Sequence, residues 1–201
     1  MLTDIQIKEN KDRFISLIKS ISRENSSTED LINWLENRSD FFEAPASTQY
    51  HCSYKGGLCE HSLNVYDAMC RLVETFNVNC NEDSIKILAL LHDISKANYY
   101  EVWYRNVKDD NGKWVQETNY RTKDFRFRFN LGNHEQNSEY IIRTFFNLSA
   151  EESAAILSHH AGMSFDSSKM DFSTIFNMYD LASLLHTADF LSTFLIEKLP
   201  E

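Results

Sequence analysis

The sequence predicts a mostly helical protein with one inserted β-hairpin. Its 201 residues include only five glycines and two prolines, the residues that most often break helices. Apolar residues recur at helical spacing along most of the chain, whereas residues 99–130 alternate between apolar and polar side chains as strands do. The predicted fold class is therefore all-α, a helical bundle with a β-hairpin inserted at about residues 99–130.

Two helices are predicted before residue 40. Apolar positions between residues 4 and 22 fit one amphipathic helix. Ser27 and Asp30 precede a second helix at the spacing of a capping box, with Asp in place of the usual Glu or Gln. We expect both helices to belong to the scaffold.

The next two predicted helices each bring a histidine close to one end. A turn at Gly56–Gly57 precedes a third helix that has His61 in its first turns. Asn81 is expected to cap a fourth helix, which delivers His92 and Asp93 near its C-terminal end. Two histidines are therefore predicted on neighbouring helices.

The inserted hairpin is basic and rich in aromatic residues. Its two strand-like stretches, VWYRNV and WVQETNYR, flank an Asn-Gly pair that favours a tight turn. Residues 99–130 carry a net charge of +2 within a chain of net charge −10, and they hold nine aromatic residues. Two interpretations stay open: a lid beside a phosphate-binding site, or a segment that packs onto the helices or a second subunit.

Helices are predicted again after the hairpin. One begins after Gly132–Asn133, and another follows a capping box formed by Ser149 and Glu152. A last long helix is predicted from about residue 171 to residue 196. The length of the chain fits a single domain over residues 1–201, with residues 1–40 as N-terminal helices.

Composition restricts the setting and the partners. A net charge of −10 opposes an extended nucleic-acid surface. The four cysteines contain no CxxC pair, which favours reduced thiols and a cytoplasmic location. The N-terminus is charged and no apolar stretch approaches the roughly 18 residues of a membrane span, so neither secretion nor membrane insertion is expected.

Histidines and an acid occur near the ends of four predicted helices, and Asp189 lies mid-way in a fifth. A lone histidine is usually a surface residue or a hydrogen-bonded core residue. Here the ends of several helices can converge on one pocket, and imidazole with carboxylate suits zinc, manganese, iron or nickel. The candidate residues are His61, His92, Asp93, His134, His159, His160 and Asp189.

The ordered motifs GGLCEHSLNVY, LALLHDISK and LLHTADFLSTF resemble the HD-domain metal-dependent phosphohydrolase superfamily, whose pattern is His, then His-Asp, then a distant Asp. The resemblance covers about residues 45–195. Within that superfamily the chain is similar to the HD domain of bacterial 3′-5′ exoribonucleases, to small phage and bacterial HD hydrolases, and to the HD-GYP branch. This resemblance implies that the fold is an HD-domain helical bundle.

The resemblance also implies the ligands of one or two divalent ions, which could be Mn, Fe, Zn, Ni or Mg. The first ion would be bound by His61, His92, Asp93 and Asp189. Asp93 would bridge to a second ion held by His134, His159 and His160. Asp93 and Lys96 are the predicted catalytic residues, and Lys96 would either contact phosphate or be a solvated lysine at a helix end.

We therefore expect an enzyme, a metal-dependent phosphohydrolase that cleaves a phosphoester of a nucleotide by metal-activated water. One alternative is a 3′-5′ exonuclease or phosphodiesterase acting on short single-stranded RNA or DNA. Another is a catalytically inactive HD module that binds nucleotides. The expected partners are a nucleotide or short oligonucleotide and no membrane, and self-association is compatible with the sequence. His51 and His186 have either a structural role or a supporting role at the site.

Overall fold

Helices form most of the computed structural model, which describes residues 1–161 and 171–198, and one hairpin interrupts them. The predicted fold class is therefore confirmed. The α-helices are α1 (Asp4–Lys19), α2 (Thr28–Asn37), α3 (Gly57–Phe76), α4 (Glu82–Leu91), α5 (His134–Arg143), α6 (Ala150–Ser158), α7 (Phe172–Met178) and α8 (Asp180–Leu191). The strands are β1 (Tyr100–Lys108) and β2 (Trp114–Thr122). Short 3₁₀ turns span Ile94–Lys96 and Phe125–Phe127.

The core lies around α3, which packs against α4 and α8, while α6 packs against α8 and α5. The apolar faces of these helices meet in one buried cluster that includes Leu63, Leu88, Ile156 and Leu185. Burying such side chains contributes about 1.5–3 kcal/mol each. The helix ends that carry the histidines are fixed by this packing.

Two glycines explain how the loop before α3 approaches the helix. Gly56 has a φ of +82°, a conformation that side chains with a Cβ rarely adopt. A Cβ added to Gly57 would lie 2.0 Å from the carbonyl oxygen of Cys52. Because both positions are glycine, the loop packs closely on the start of α3, and the ring centroid of His51 lies 4.8 Å from that of His61.

The hairpin is a two-stranded antiparallel sheet with its register fixed from Tyr100↔Thr122 to Lys108↔Trp114. The strands are joined by residues 109–113, a longer connection than the tight turn that the Asn-Gly pair predicts. The carboxylate of Asp109 accepts hydrogen bonds from the backbone N–H groups of Asn111 and Lys113 and so stabilises this wider loop.

The predicted capping box at Ser27 is wrong. Ser27 is the N-cap residue of α2, but its side chain makes no capping hydrogen bond. Its backbone N–H instead donates to the carbonyl oxygen of Phe145, 2.9 Å away. This contact with a distant residue sets the entry of the helix in place of the local pair with Asp30.

The predicted long helix at residues 171–196 is also wrong in part, because it is broken at Tyr179. Tyr179 has an extended backbone (φ −133°, ψ 107°) between α7 and α8. The break frees the N-terminus of α8, where the N–H of Leu181 donates to a carboxylate oxygen of Glu151 at 3.1 Å. After α8 the chain continues as a wide π-helical turn over Ser192–Ile196.

The thiol state predicted for the cysteines agrees with the structure. The four cysteines are free thiols. Within residues 1–161 and 171–198, no helix combines the length and the apolar character needed to cross a bilayer.

Candidate metal centre

Five secondary-structure elements bring the predicted site residues into one buried cluster. His61 lies on α3 one turn after its first residue, and His92 directly follows the last residue of α4. His134 is the first residue of α5, and His159 directly follows α6. Asp189 lies in the last turns of α8. Except for the half-buried His134, these side chains are almost fully excluded from solvent.

Asp93 is at the centre of the cluster, and its two carboxylate oxygens face different histidines. Oδ2 lies 3.4 Å from Nε2 of His92 and 3.7 Å from Nε2 of His61. Oδ1 lies 3.7 Å from Nε2 of His159 and 3.9 Å from Nε2 of His134. One carboxylate therefore links two groups of imidazoles.

Asp189 is the second acid of the cluster. Its Oδ1 lies 3.2 Å from Nε2 of His61, and its Oδ2 lies 3.3 Å from Nε2 of His160. The ring of His160 thus faces Asp189, although it also offers a nitrogen within 4.8 Å of those of His134 and His159. His160 consequently lies between the imidazoles that face Oδ2 of Asp93 and those that face Oδ1.

Lys96 is buried rather than solvated. Its side chain is on the 3₁₀ turn that follows Asp93, its residue is only 8% exposed, and its Nζ lies 2.6 Å from Oδ2 of Asp93. Burial lowers the pKa of Lys96, but the charge of Asp93, its hydrogen bond to Lys96 and the nearby acidic groups of Tyr100 and Asp189 together more than compensate and raise it. Lys96 is therefore a buried cation at the centre of the cluster.

Charge separates the histidines into two kinds. Burial lowers the pKa of His61 and His160, but nearby carboxylates more than compensate and raise the pKa of His61 to about 10 and that of His160 to about 9. Burial lowers the pKa of His134 to about 3 and also lowers that of His159. Without an ion, the cluster therefore holds protons on the Asp189 side and neutral imidazoles around Oδ1 of Asp93.

The residues present fit a divalent cation. Oδ1 of Asp93, Nε2 of His134 and Nε2 of His159 are buried, face one another and have no hydrogen-bond partner within the described part of the chain. Buried polar atoms are rarely left unpaired. Ligand atoms about 2.1 Å from a common zinc-like ion lie roughly 3–3.5 Å apart in a tetrahedral site. The spacings around Asp93 are close to this range, so small adjustments would let these side chains hold an ion.

Two carboxylates of the cluster were not predicted from the sequence. Glu135 is buried, with its oxygens 3.2 Å from Nδ1 of His134 and 3.5 Å from Nδ1 of His160. Its position directly after His134 is a signal that could have identified it. Glu197 lies 3.0 Å from Nδ1 of His61, and no local pattern in the sequence indicates this contact.

The two histidines with open roles lie beside the cluster. Nε2 of His51 is buried without a hydrogen-bond partner among the described residues, and burial together with the charge of His61 lowers the pKa of His51 to about 4. Nδ1 of His186 lies 2.7 Å from the carbonyl oxygen of His159. His186 therefore contacts the backbone that carries one candidate ligand.

Two comparisons with known proteins find similarity over part of the chain. Over 62 residues the chain is 42% identical to the dihydroneopterin 2′,3′-cyclic phosphate phosphodiesterase of Methanocaldococcus jannaschii, a match that covers 29% of this chain and 25% of that protein. No solved structure matches the chain significantly. Residues 58–174 match the HD domain family, and Asp189 lies beyond the end of that match. Because the match covers more than half of the chain, the protein belongs to the HD domain family of metal-dependent phosphohydrolases, as its motifs predicted.

Proposed function

We propose that this protein hydrolyses a phosphoester of a nucleotide and that it requires one or two divalent ions. The observation that carries the proposal is the carboxylate of Asp93, whose oxygens face His61 and His92 on one side and His134 and His159 on the other. A carboxylate between two groups of imidazoles has the geometry of a bridge between two cations. Such a pair of ions, when bound, would supply Lewis-acid charge and activate a water for attack on phosphorus.

The proposed ligands are the residues that the sequence indicated. His61, His92, Asp93 and Asp189 would hold the first ion, and Asp93 with His134, His159 and His160 would hold the second. Glu135 would orient His134 and His160 through their Nδ1 atoms. The metal is expected to be Mn, Fe, Zn, Ni or Mg.

Lys96 is proposed to contact the phosphate. Its ammonium group has three N–H donors, and the ion pair with Asp93 uses only part of that capacity. An ion on Asp93 would weaken the attraction of Lys96 for that carboxylate, so the lysine could stabilise a non-bridging oxygen as negative charge develops there.

The proposed substrate class rests on the charge of the chain and on the name of the Methanocaldococcus jannaschii relative. That protein is named as a phosphodiesterase of a 2′,3′-cyclic phosphate. The proposed function is therefore tested with a panel of substrates that contains a 2′,3′-cyclic nucleotide and nucleoside mono-, di- and triphosphates. The acidic chain, with its net charge of −10, favours such small substrates over long polyanions.

A second candidate, an exonuclease or phosphodiesterase on short single-stranded RNA or DNA, is favoured by one groove. It has a volume of about 640 Å³, lies between residues 126–129 and the C-terminal half of α5, and is lined by Trp34, Ala97, Asn98, Arg126, Phe127, Arg128, Phe129, Tyr140, Ile141, Thr144 and Phe145. Two arginines and no carboxylate are among these described lining residues. Aromatic rings beside arginine suit stacked bases and phosphates.

Arg128 is the side chain of this groove that most needs a partner. Its guanidinium lies 4.4 Å from the ring centroid of Tyr99 and has no ion pair with a described residue, and its Nε is buried without a hydrogen bond. Arg126, by contrast, is paired with Asp124. A phosphate of a second nucleotide would satisfy Arg128.

Metal analysis followed by product analysis tests both candidates. The purified protein should contain a divalent ion and hydrolyse at least one member of the panel, and the double variant His92→Ala with Asp93→Ala should be inactive. Hydrolysis of mononucleotide phosphoesters supports the first candidate, whereas mononucleotides released stepwise from oligomers support the second. Metal without turnover would indicate a binding module, and unchanged activity of the double variant would refute the proposed site.

A further inference from the structure

The imidazole of His61 lies between two carboxylates that come from the same C-terminal segment. On one side, its Nε2 is 3.2 Å from Oδ1 of Asp189. On the other side, its Nδ1 is 3.0 Å from both carboxylate oxygens of Glu197. The side chain of Glu197 is only 2% exposed, so this contact is shielded from water.

The two nitrogens of His61 face different surroundings. Nε2 points to the other proposed ligands of the first ion, since it lies 3.3 Å from Nε2 of His92 and 3.7 Å from Oδ2 of Asp93. Nδ1 points away from them toward Glu197. A neutral imidazole that binds an ion through Nε2 must carry its proton on Nδ1, and that N–H needs an acceptor.

We propose that Glu197 is a positioning residue, which accepts the N–H of Nδ1 of His61 and thereby keeps Nε2 of that histidine oriented to bind the first ion. The inference rests on the proposed metal site. It adds a residue outside the HD motifs and beyond the part of the chain that matches the family.

Asn64 holds Glu197 in place. Its Nδ2 donates a hydrogen bond to Oε1 of Glu197 at 2.9 Å. Asn64 and His61 are three residues apart on α3 and therefore lie on the same side of that helix. Two side chains of one helix thus fix the carboxylate, and the path Asn64, Glu197, His61 ends at the proposed ion.

The wide turn after α8 brings Glu197 to this position. In a regular α-helix, the residue eight positions after Asp189 would be rotated by roughly 80° from it, whereas the seventh would be within about 20°. The turn over Ser192–Ile196 holds one residue more than a turn of α-helix. Its hydrogen bond runs from the N–H of Glu197 to the carbonyl oxygen of Ser192, five residues earlier and not four. Glu197 therefore comes to the face of Asp189.

A competing role for Glu197 is that of a ligand in its own right. His51, His61 and Glu197 offer ligand atoms within 4.8 Å of one another. In that arrangement Nδ1 of His61 would have to bind a cation instead of donating a proton, although its Nε2 already faces the first site. The two roles differ in the number of ions bound, which can be measured.

The test compares metal binding by Glu197→Ala, Glu197→Gln and the unchanged protein, with Mn²⁺ or Zn²⁺ and a competing chelator. Loss of the hydrogen-bond partner of a metal-binding histidine typically weakens metal affinity 10–100-fold. We expect such a loss in Glu197→Ala with the number of bound ions unchanged. Glu197→Gln, whose amide oxygen still accepts the N–H, should lose less, and Asn64→Ala should lose least.

Glu60→Gln is the matched control. Glu60 directly precedes His61 on α3 and is partly buried, but its carboxylate accepts a hydrogen bond from Tyr54 and forms no hydrogen bond or ion pair with the imidazole of His61 in the described structure. The affinity of the Glu60→Gln variant for the ion should stay within about twofold of that of the unchanged protein. Circular dichroism establishes that each variant is folded. If Glu197→Ala does not fold, Glu197→Leu decides the question, because it also removes the acceptor but keeps a side chain of similar size.

Three results have distinct meanings. Affinity within twofold of the unchanged protein in every folded Glu197 variant would overturn the positioning role and leave the proposed function standing. Loss of one bound ion, with the affinity of the rest unchanged, would overturn it in favour of a ligand role. Failure of the unchanged protein to bind Mn²⁺ or Zn²⁺ would instead count against the proposed function and, with it, against this inference.

Discussion

The ammonium nitrogen of Lys96 lies 2.6 Å from Oδ2 of Asp93, and both side chains are almost fully buried. A buried ion pair is costly to desolvate, but removing one partner is costlier, because the other charge is left uncompensated. Asp93 also faces four histidines. Lys96 therefore compensates Asp93 when no ion is present, and a bound ion would take over part of that role.

Lys96→Met should destabilise the ion-free protein more than the ion-loaded protein. We expect a loss of about 3–5 kcal/mol in the free energy of unfolding without metal, as for other broken buried pairs, and a clearly smaller loss with saturating Mn²⁺. Urea unfolding with a chelator or with Mn²⁺ measures both values. Lys55→Met, at an exposed pair with Glu43, is the control. Equal losses with and without Mn²⁺ would contradict this role.

Asp93→Asn should reduce both metal content and turnover. Asparagine has nearly the same size, but it has one oxygen and an N–H₂ group, so it cannot present acceptors to both groups of histidines. We expect at least one ion fewer per chain by elemental analysis and a loss of turnover of at least about 10²–10³-fold. Asp110→Asn in the exposed hairpin loop should change neither. A variant that keeps all of its metal would rule out the bridging role.

Metal affinity should rise with pH. The pKa of His61 is raised to about 10 and that of His160 to about 9, so both rings are protonated at neutral pH without an ion. An ion must displace these protons, which strengthens its binding by up to about tenfold per pH unit for each proton released. Chelator competition at pH 6.5 and 8.5 measures the change. Affinity that does not rise between these values would show that neither histidine loses a proton.

The raised pKa values of His61 and His160 also predict how the stability of the ion-free protein depends on pH. Both pKa values lie above the ordinary histidine value of 6.5, so the stabilisation from these two groups is fully present below pH 6.5 and is lost as pH rises through 9 and 10. Denaturant unfolding in chelator from pH 6 to pH 10 should therefore show falling stability. Saturating metal should reduce this decline, because the ion replaces the protons.

Arg128→Ala should separate the two candidate substrates. If an oligonucleotide occupies the groove, the variant should bind a short labelled single strand about 10–150-fold more weakly, which corresponds to about 1.5–3 kcal/mol for a hydrogen bond to a charged group. Binding of a mononucleotide should change much less. Fluorescence anisotropy in the inactive His92→Ala, Asp93→Ala background measures both. Arg105→Ala, which removes an exposed hairpin arginine paired with Glu117, is the matched control.

The sequence predicts the helix ends well because their signals are local. Asn81 and Ser149 accept hydrogen bonds at the N-termini of α4 and α6 as expected, and His92 and Asp93 follow α4. The order of the motifs then indicates which ends meet. Helix packing brings the predicted side chains together, and their role as ligands stays a prediction that the metal measurements test.

The features that the sequence does not reveal depend on distant contacts. The break at Tyr179 is accompanied by a hydrogen bond from the backbone N–H of Leu181, at the start of α8, to the carboxylate of Glu151, whereas the helical periodicity of the sequence continues across the break. Ser27 has a capping-box spacing, but its N–H donates to Phe145 instead. Glu197 reaches His61 only because the turn before it is wider than an α-helix, and a 3.6-residue pattern does not indicate such a turn.

The hairpin enters the chain between two parts of the candidate site. Its first strand begins four residues after Lys96, and the segment that follows its second strand ends at His134. Its two strands pair only with each other in the described sheet. The helices that carry the histidines therefore do not depend on the hydrogen bonds between these strands. The length and sequence of this arm can therefore vary while the helices that hold the candidate ligands keep their packing.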